Sequence, residues 1–265
     1  MAVRERQVGA SRKVGRELCE RLARGAAGTR LLVVLAHPDD EVLALGGRLE
    51  ALRDSRLVCV TDGVPLDGRD ARAHGFGGLA EYREARRAEQ AEALGGVVAS
   101  HWLGVSDQRA VWDLPGLTRR VQAEVDAWQP EAVLTHPYEG GHPDHDACAF
   151  AVAHCGASVP VLEAPFYHAG AREIETGVFL GEPGCAVELA EEQRARKRER
   201  LACFRSQAET LGLFGVERER YRVAPAYDFL RPPHVGRLYY EEFDWGMTGE
   251  RFCELAGAAE RELGR

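Results

Sequence analysis

The sequence predicts an α/β fold in which a parallel sheet carries helices on both faces. Three observations lead there. Apolar runs too short for helices alternate with stretches whose apolar residues recur at helical spacing. Ionisable residues gather directly after several of the strand-like runs, where open parallel sheets bind ligands. The chain, 265 residues long, suits one large core with excursions better than two complete domains.

The first element is the run Leu31 to Ala36, bounded by Gly28-Thr29 and His37-Pro38, which reads as a buried strand. Glu41 to Arg53 follows as a helix, with Val42, Leu45, Leu49 and Leu52 on one face and Asp39 or Asp40 placed to cap it. The alternation continues with strand Leu57 to Thr61, helix Leu79 to Leu94, strand Val97 to Leu103 and helix Leu117 to Trp128. Strand Ala132 to Thr135 and helix Asp146 to Cys155 complete the repeating part. Beyond Val161 come a strand through Tyr167, short strands near Thr176 to Leu180 and Ala186 to Leu189, and a long helix from about Glu191 to Leu211. A prolines-and-aromatics segment then leads to a final helix from Thr248 to Leu263. This divides a single domain, 1–265, into a core at about 29–156 and a C-terminal extension at about 157–265 that covers the site.

Composition narrows the function. The 45% apolar and 29% charged content is that of a globular protein. A net charge of −8 speaks against nucleic acid and anionic lipid surfaces, both of which reward clustered Lys and Arg, and so favours a small-molecule substrate. The stretch through Arg30 is basic but lacks the apolar run of a signal peptide, and no later window is long and apolar enough to span a membrane. The expected location is cytoplasmic. The seven cysteines are scattered without a CxxC pair and read as reduced thiols.

His37 and Asp40 stand three apart at a strand-to-helix turn, and His142 and His145 three apart in a turn entering another helix. Both pairs can point at one centre. Two imidazoles and a carboxylate with one coordination position left for water make a catalytic zinc set, because structural zinc closes all four positions with protein ligands. A carboxylate beside the water accepts its proton, and a second group, commonly His, protonates the departing nitrogen of an amide; Asp39 and His142 fit these vacancies.

Ala36-His-Pro-Asp-Asp-Glu41 and Gly141-His-Pro-Asp-His145 resemble the two signature motifs of the LmbE-like, or PIG-L, zinc-dependent N-deacetylases. The resemblance runs from about Leu31 to Cys155, with a weaker echo around Lys197 to Gln207. It implies a Rossmann-like fold and removal of an acetyl group from an N-acetylglucosaminyl compound. By motif position it implies that His37, Asp40 and His145 bind zinc, that Asp39 is the general base, and that His142 is the general acid or electrostatic stabiliser. A His and carboxylate set also accepts iron(II). The implied partner is a small N-acetylated amino sugar or conjugate; the oligomeric state, monomer or homo-oligomer, stays open.

Further residues carry weaker expectations. Asp144 is expected to pair with His142 and fix its tautomer, or to serve as a helix cap. Arg83 matches an Arg that the family uses near its sugar pocket, although its neighbours match poorly. Some relatives place a Tyr two residues before the first His of the second motif to help stabilise the oxyanion; Gly140 stands there, and Tyr138 is the nearest substitute, against a reading as an exposed loop residue. Asp62 and Asp107, after the second and third strands, are placed to bind sugar hydroxyls or orient a zinc-binding imidazole, against a reading as turn residues. Tyr227, Tyr239, Tyr240, Phe243 and Trp245 are of the type that stacks on sugars, though such residues more often belong to a core.

Three rival readings fit the sequence less well. His145-Asp146 superficially matches the HD doublet of metal phosphohydrolases, but that fold is all helical. A silent sugar-binding pseudoenzyme would have lost at least one ligand or proton-transfer residue, and all are present. A nucleotide-binding oxidoreductase needs a glycine-rich phosphate loop where this chain has His-Pro-Asp-Asp.

Overall fold

The computed structural model describes residues 13–22, 24, 28–171 and 173–265. The first twelve residues of the basic N-terminal stretch, residues 23 and 25–27, and residue 172 lie outside the described residues, and with them the N-terminal end of the predicted 1–265 span.

Five strands run parallel: β1 (Leu31–Leu35), β2 (Arg56–Pro65), β3 (Ser100–Asp107), β4 (Ala132–Thr135) and β5 (Val161–Glu163). Two more, β8 (Cys185–Glu188) and β9 (Arg218–Val223), extend the sheet antiparallel through β9, giving the order β3-β2-β1-β4-β5-β9-β8. Every residue of β1 and β4 is buried, so these strands read as unbroken apolar runs rather than as alternation. A separate hairpin pairs β6 (Tyr167–Ala169) with β7 (Ile174–Thr176). The parallel sheet excludes the all-helical phosphohydrolase reading.

Helices cover both faces. One core layer packs α4 (Leu114–Trp128), α5 (Pro143–His154) and α8 (Gly249–Glu262) through Val121, Phe150 and Phe252. The other packs α1 (Asp40–Leu45), the end of α3 (Leu79–Leu94) and helical residues 13–22 through Leu45, Leu94 and Leu22. Between α1 and α3 lies the short α2 (Arg69–Ala73); α6 (Glu191–Leu201) and α7 (Ala208–Leu211) come after β8.

The strand expected through Tyr167 is split into β5 and β6, the one expected near Thr176 to Leu180 lies earlier, at Ile174–Thr176, and three further elements differ. The helix expected over Glu41 to Arg53 breaks after Leu45. A side chain at Gly46 or Gly47 would collide with Val42 or Leu189, and the freed backbone is taken by the C-terminal half: Lys197 Nζ donates to Leu43 O at 2.6 Å and Gly47 N to Glu219 at 2.8 Å. The third strand starts three residues later than expected, at Ser100, and runs to Asp107 with register shifts against β2. The long helix expected over Glu191 to Leu211 stops at Leu201 and resumes at Ala208.

The strand order decides where chemistry can occur. β1 lies between β2 and β4, so the chain leaves β1 in one direction and returns on its other side. At this reversal the loops after β1 and β4 diverge and open a crevice at the carboxyl edge of the sheet. His37 to Asp39 and His136 to His142 form those two loops, with Asp40 and His145 in the first turns of the helices they enter.

Candidate active site

The two motif loops converge as their spacing predicts. His37 Nδ1 lies 3.2 Å from His145 Nε2 and 3.5 Å from Asp40 Oδ2, and His145 Nε2 lies 3.7 Å from Asp40 Oδ1. Donors held at about 2.0–2.1 Å around a tetrahedral zinc lie about 3.3–3.4 Å from one another, so the set has the size of a coordination sphere. Two ring nitrogens aimed at each other also leave one lone pair unsatisfied unless a cation or proton sits between them. The charge balance agrees: burial opposes a proton on His37, yet Asp107, Asp144 and Asp40 outweigh it and raise the ring's pKa well above the ordinary value. The cluster demands positive charge, and His37, Asp40 and His145 fit a divalent metal.

A second grouping, His37 with Asp107, His142 and Asp144, is also close enough to suggest a metal. Its geometry is that of a hydrogen-bonded support. His37 Nε2 meets Asp107 Oδ1 at 3.0 Å, which keeps the proton on Nε2 and turns the Nδ1 lone pair toward Asp40 and His145. Asp107 is therefore placed to orient His37, at the wall of the cleft. Both oxygens of Asp144 are occupied by backbone N–H groups, from Gln108 at 2.6 Å and Ala110 at 3.0 Å.

The expected Asp144–His142 carboxylate pair approaches no closer than 4.0 Å, beyond hydrogen-bond distance. His142 caps α5 itself: its Nδ1 accepts the backbone N–H of Asp144 at 3.1 Å, so the neutral ring carries its proton on Nε2. Burial first, then the neighbouring charge of His37, lower the pKa of His142 to about 3.

Asp39 stands at the start of α1 but makes no side-chain cap. Its Oδ2 instead accepts from Arg86 Nη2 at 3.1 Å. Burial raises the Asp39 pKa to about 6, with Arg86 restraining the rise. Arg86 is fully buried on the inner face of α3 with Tyr82, Glu89 and Ala93, and Gly63 makes room for it, since a Cβ there would lie 2.5 Å from Nη2. Arg83, the expected sugar contact, lies one turn earlier, outside the cleft, where it donates to Asp62 at 2.6 Å. Asp62 is thereby occupied as well, and its second oxygen accepts the Val64 N–H at 3.0 Å as a turn residue does. The missed Arg86 had a sequence signal, a charge at helical spacing from Tyr82 and Ala93.

Tyr138 is neither an exposed loop residue nor a substitute at Gly140. It is buried against Phe229 and Phe252, and its hydroxyl donates to Arg231 O at 3.0 Å. His136 sits fully buried behind these three residues, stacked on His145 at 3.9 Å with Nε2 3.4 Å from Asp40. Of the C-terminal aromatics, Tyr227 and Tyr240 belong to the core, whereas Phe243 and Trp245 line the cleft. Trp245 lies 4.8 Å from the His142 ring and stacks on Phe243 at 4.4 Å. The cleft has a volume of about 400 Å³, within the ordinary range for small-molecule sites.

Residues 32–155 match the family model described as PIG-L, GlcNAc-PI de-N-acetylase. A probable N-acetyl-alpha-D-glucosaminyl L-malate deacetylase 2 of Bacillus cereus is 30% identical over 189 residues, covering 68% of this chain and 84% of the relative. This chain belongs to the PIG-L family. A second family relative, the 1D-myo-inositol 2-acetamido-2-deoxy-alpha-D-glucopyranoside deacetylase of Nakamurella multipartita, is 31% identical over 44% of this chain and 51% of its own length. The crystal structure of a deacetylase triple mutant from the teicoplanin biosynthetic pathway superposes with a TM-score of 0.56 at 25% identity, over 69% of this chain and 85% of that one. This PIG-L protein is a metal-dependent N-deacetylase, a hydrolase of an N-acetyl amide bond. No helix among the described residues is long and apolar enough to cross a membrane.

Proposed function

We propose that this PIG-L protein removes the acetyl group from an N-acetylglucosaminyl conjugate in the cytoplasm, with zinc held by His37, Asp40 and His145. The observation that carries the reading is the convergence of those three donors at 3.2–3.7 Å beside the carboxylate of Asp39. The glucosaminyl part is what the named substrates of both sequence relatives share. Zinc, when bound, supplies a Lewis acid for the amide carbonyl and lowers the pKa of a water to about 7.

The protein's own residues do the rest. Asp39 takes the proton of the attacking water; its pKa of about 6 leaves it ionised at neutral pH yet able to carry a proton briefly. Arg86 fixes the carboxylate's direction. Of the two roles open to His142, its buried, neutral state and its Nε2–H support the electrostatic one: it donates a hydrogen bond to charge developing on the amide. The proton held by Asp39 then goes to the nitrogen as the C–N bond breaks, leaving acetate and an amine. Asp107 acts through His37, and Asp144 acts by tying the loop after β3 to the start of α5. Trp245, against His142, and Phe243 supply an apolar wall for the face of a pyranose ring.

Acetate release from a panel of N-acetylglucosaminyl conjugates tests the reading. The zinc-loaded protein should deacetylate at least one, and Asp39→Asn should retain zinc while losing about 10²–10⁴ of the rate. Turnover that survives Asp39→Asn would remove the base assignment.

A further inference from the structure

We infer that Tyr167, on the hairpin strand β6, is a catalytic residue whose hydroxyl hydrogen-bonds the substrate oxygen as it becomes an oxyanion. The assignment rests on the deacetylase reading above and on the following geometry.

Tyr167 reaches the cleft from outside both motif loops. Its ring lies 5.2 Å from that of His145, while His142 lies 5.3 Å from the same ring, so the two donors flank one metal-site residue. The side chain shares the cleft wall with His37, Asp39 and Asp40. Its hydroxyl has no hydrogen-bond partner among the described residues, although it lies within electrostatic reach of Asp40, Asp107 and Asp39. Half-buried at the cleft wall, the hydroxyl is a donor open to whatever occupies the cleft.

The second motif loop is shaped to admit it. Gly141 has no room for a side chain: a Cβ there would lie 2.0 Å from Tyr167 O and 3.1 Å from its ring Cδ2. Gly140 adopts φ +71°, and a Cβ on it would lie 2.8 Å from Leu238. Gly141 thus lets β6 press against the turn that presents His142, while Gly140 admits Leu238. Tyr239 and Phe214 hold the Tyr167 ring edge-on at 5.6 and 6.1 Å, fixing its direction before substrate arrives.

When the water oxygen adds to the amide carbon, the carbonyl π pair moves to oxygen. The Tyr167 O–H donates to that oxygen and keeps its own proton throughout. The pair returns to re-form C=O as the C–N bond breaks and nitrogen takes the proton from Asp39. Nothing is oxidised or consumed beyond water and amide.

Tyr167→Phe removes one oxygen and leaves the packing intact. Its kcat should fall by about 10²–10³, the usual loss for one oxyanion donor, with KM and zinc stoichiometry unchanged. A tetrahedral phosphonate analogue of the attacked amide should lose affinity by a comparable factor, while an N-acetyl ground-state ligand should not. A Tyr167→Phe enzyme with wild-type kcat, or one whose loss lies wholly in KM, would overturn the assignment. If the wild type hydrolysed no N-acetyl sugar, the deacetylase reading would fail; the analogue's affinity for the two proteins would still judge Tyr167.

Discussion

Replacing Asp107 by Asn separates the two ways of reading the acidic residues around His37. In the structure Asp107 Oδ1 accepts from His37 Nε2 at 3.0 Å and from Gln108 N at 2.8 Å, with its side chain 12% exposed. Asn has the same shape and keeps one carbonyl, so the tautomer survives; what disappears is the negative charge that makes Nδ1 a stronger base. Loss of such an outer partner costs about 10–100-fold in metal affinity, which is about 1.4–2.7 kcal/mol. His37→Ala, which removes a ligand, should cost more, and Asp107→Ala should fall between. Competition for zinc against a chromophoric chelator measures all three. Wild-type affinity in Asp107→Asn would refute the orienting role, and a loss equal to that of His37→Ala would make Asp107 itself a ligand, as the alternative His37, Asp107, His142 and Asp144 grouping requires.

Other consequences follow from the same geometry. The acid limb of kcat/KM should lie at or below about pH 6, because Asp39 must be ionised to take a proton and a cation beside it pulls its pKa down; rate loss beginning well above pH 7 would contradict the base assignment. Burial raises the Glu139 pKa to about 8 despite Arg222, which Glu139 shares with Glu163. The folded state therefore binds more protons than the unfolded one from about pH 4.5 to 8, and stability falls as pH rises through that window. Glu139→Gln should flatten the decline in urea-unfolding midpoint between pH 5.5 and 8, and an unchanged slope would show that Glu139 ionises as freely when folded. Phe243→Ala should raise KM for hexosaminides about 2–10-fold with little change in kcat, the worth of one aromatic stacking contact, whereas a loss confined to kcat would exclude a sugar-binding wall.

The sequence by itself determined the sheet, the helices on its two faces and the convergence of His37, Asp40 and His145 on one centre. The reason is local: β1 and β4 are apolar runs buried on both sides, the motif residues follow them immediately, and a three-residue spacing within one turn fixes which side chains point together. It also supplied the complete pair of motifs that mark the family. Only the tertiary structure decided how the remaining polar residues divide. Asp62 and Asp107 look alike as acids after strands, but Asp62 is taken by Arg83 whereas the irregular register of β3 carries Asp107 to His37. Arg86 was chosen over Arg83 by one helical turn of rotation, and Tyr138 turned inward because Phe229, Phe252 and Arg231 O receive it. Tyr167 and Trp245 reach the cleft from β6 and from the C-terminal segment, through contacts that no local pattern encodes. A strand's burial is written in its own residues, but the partner of a polar side chain is set by which distant element arrives first.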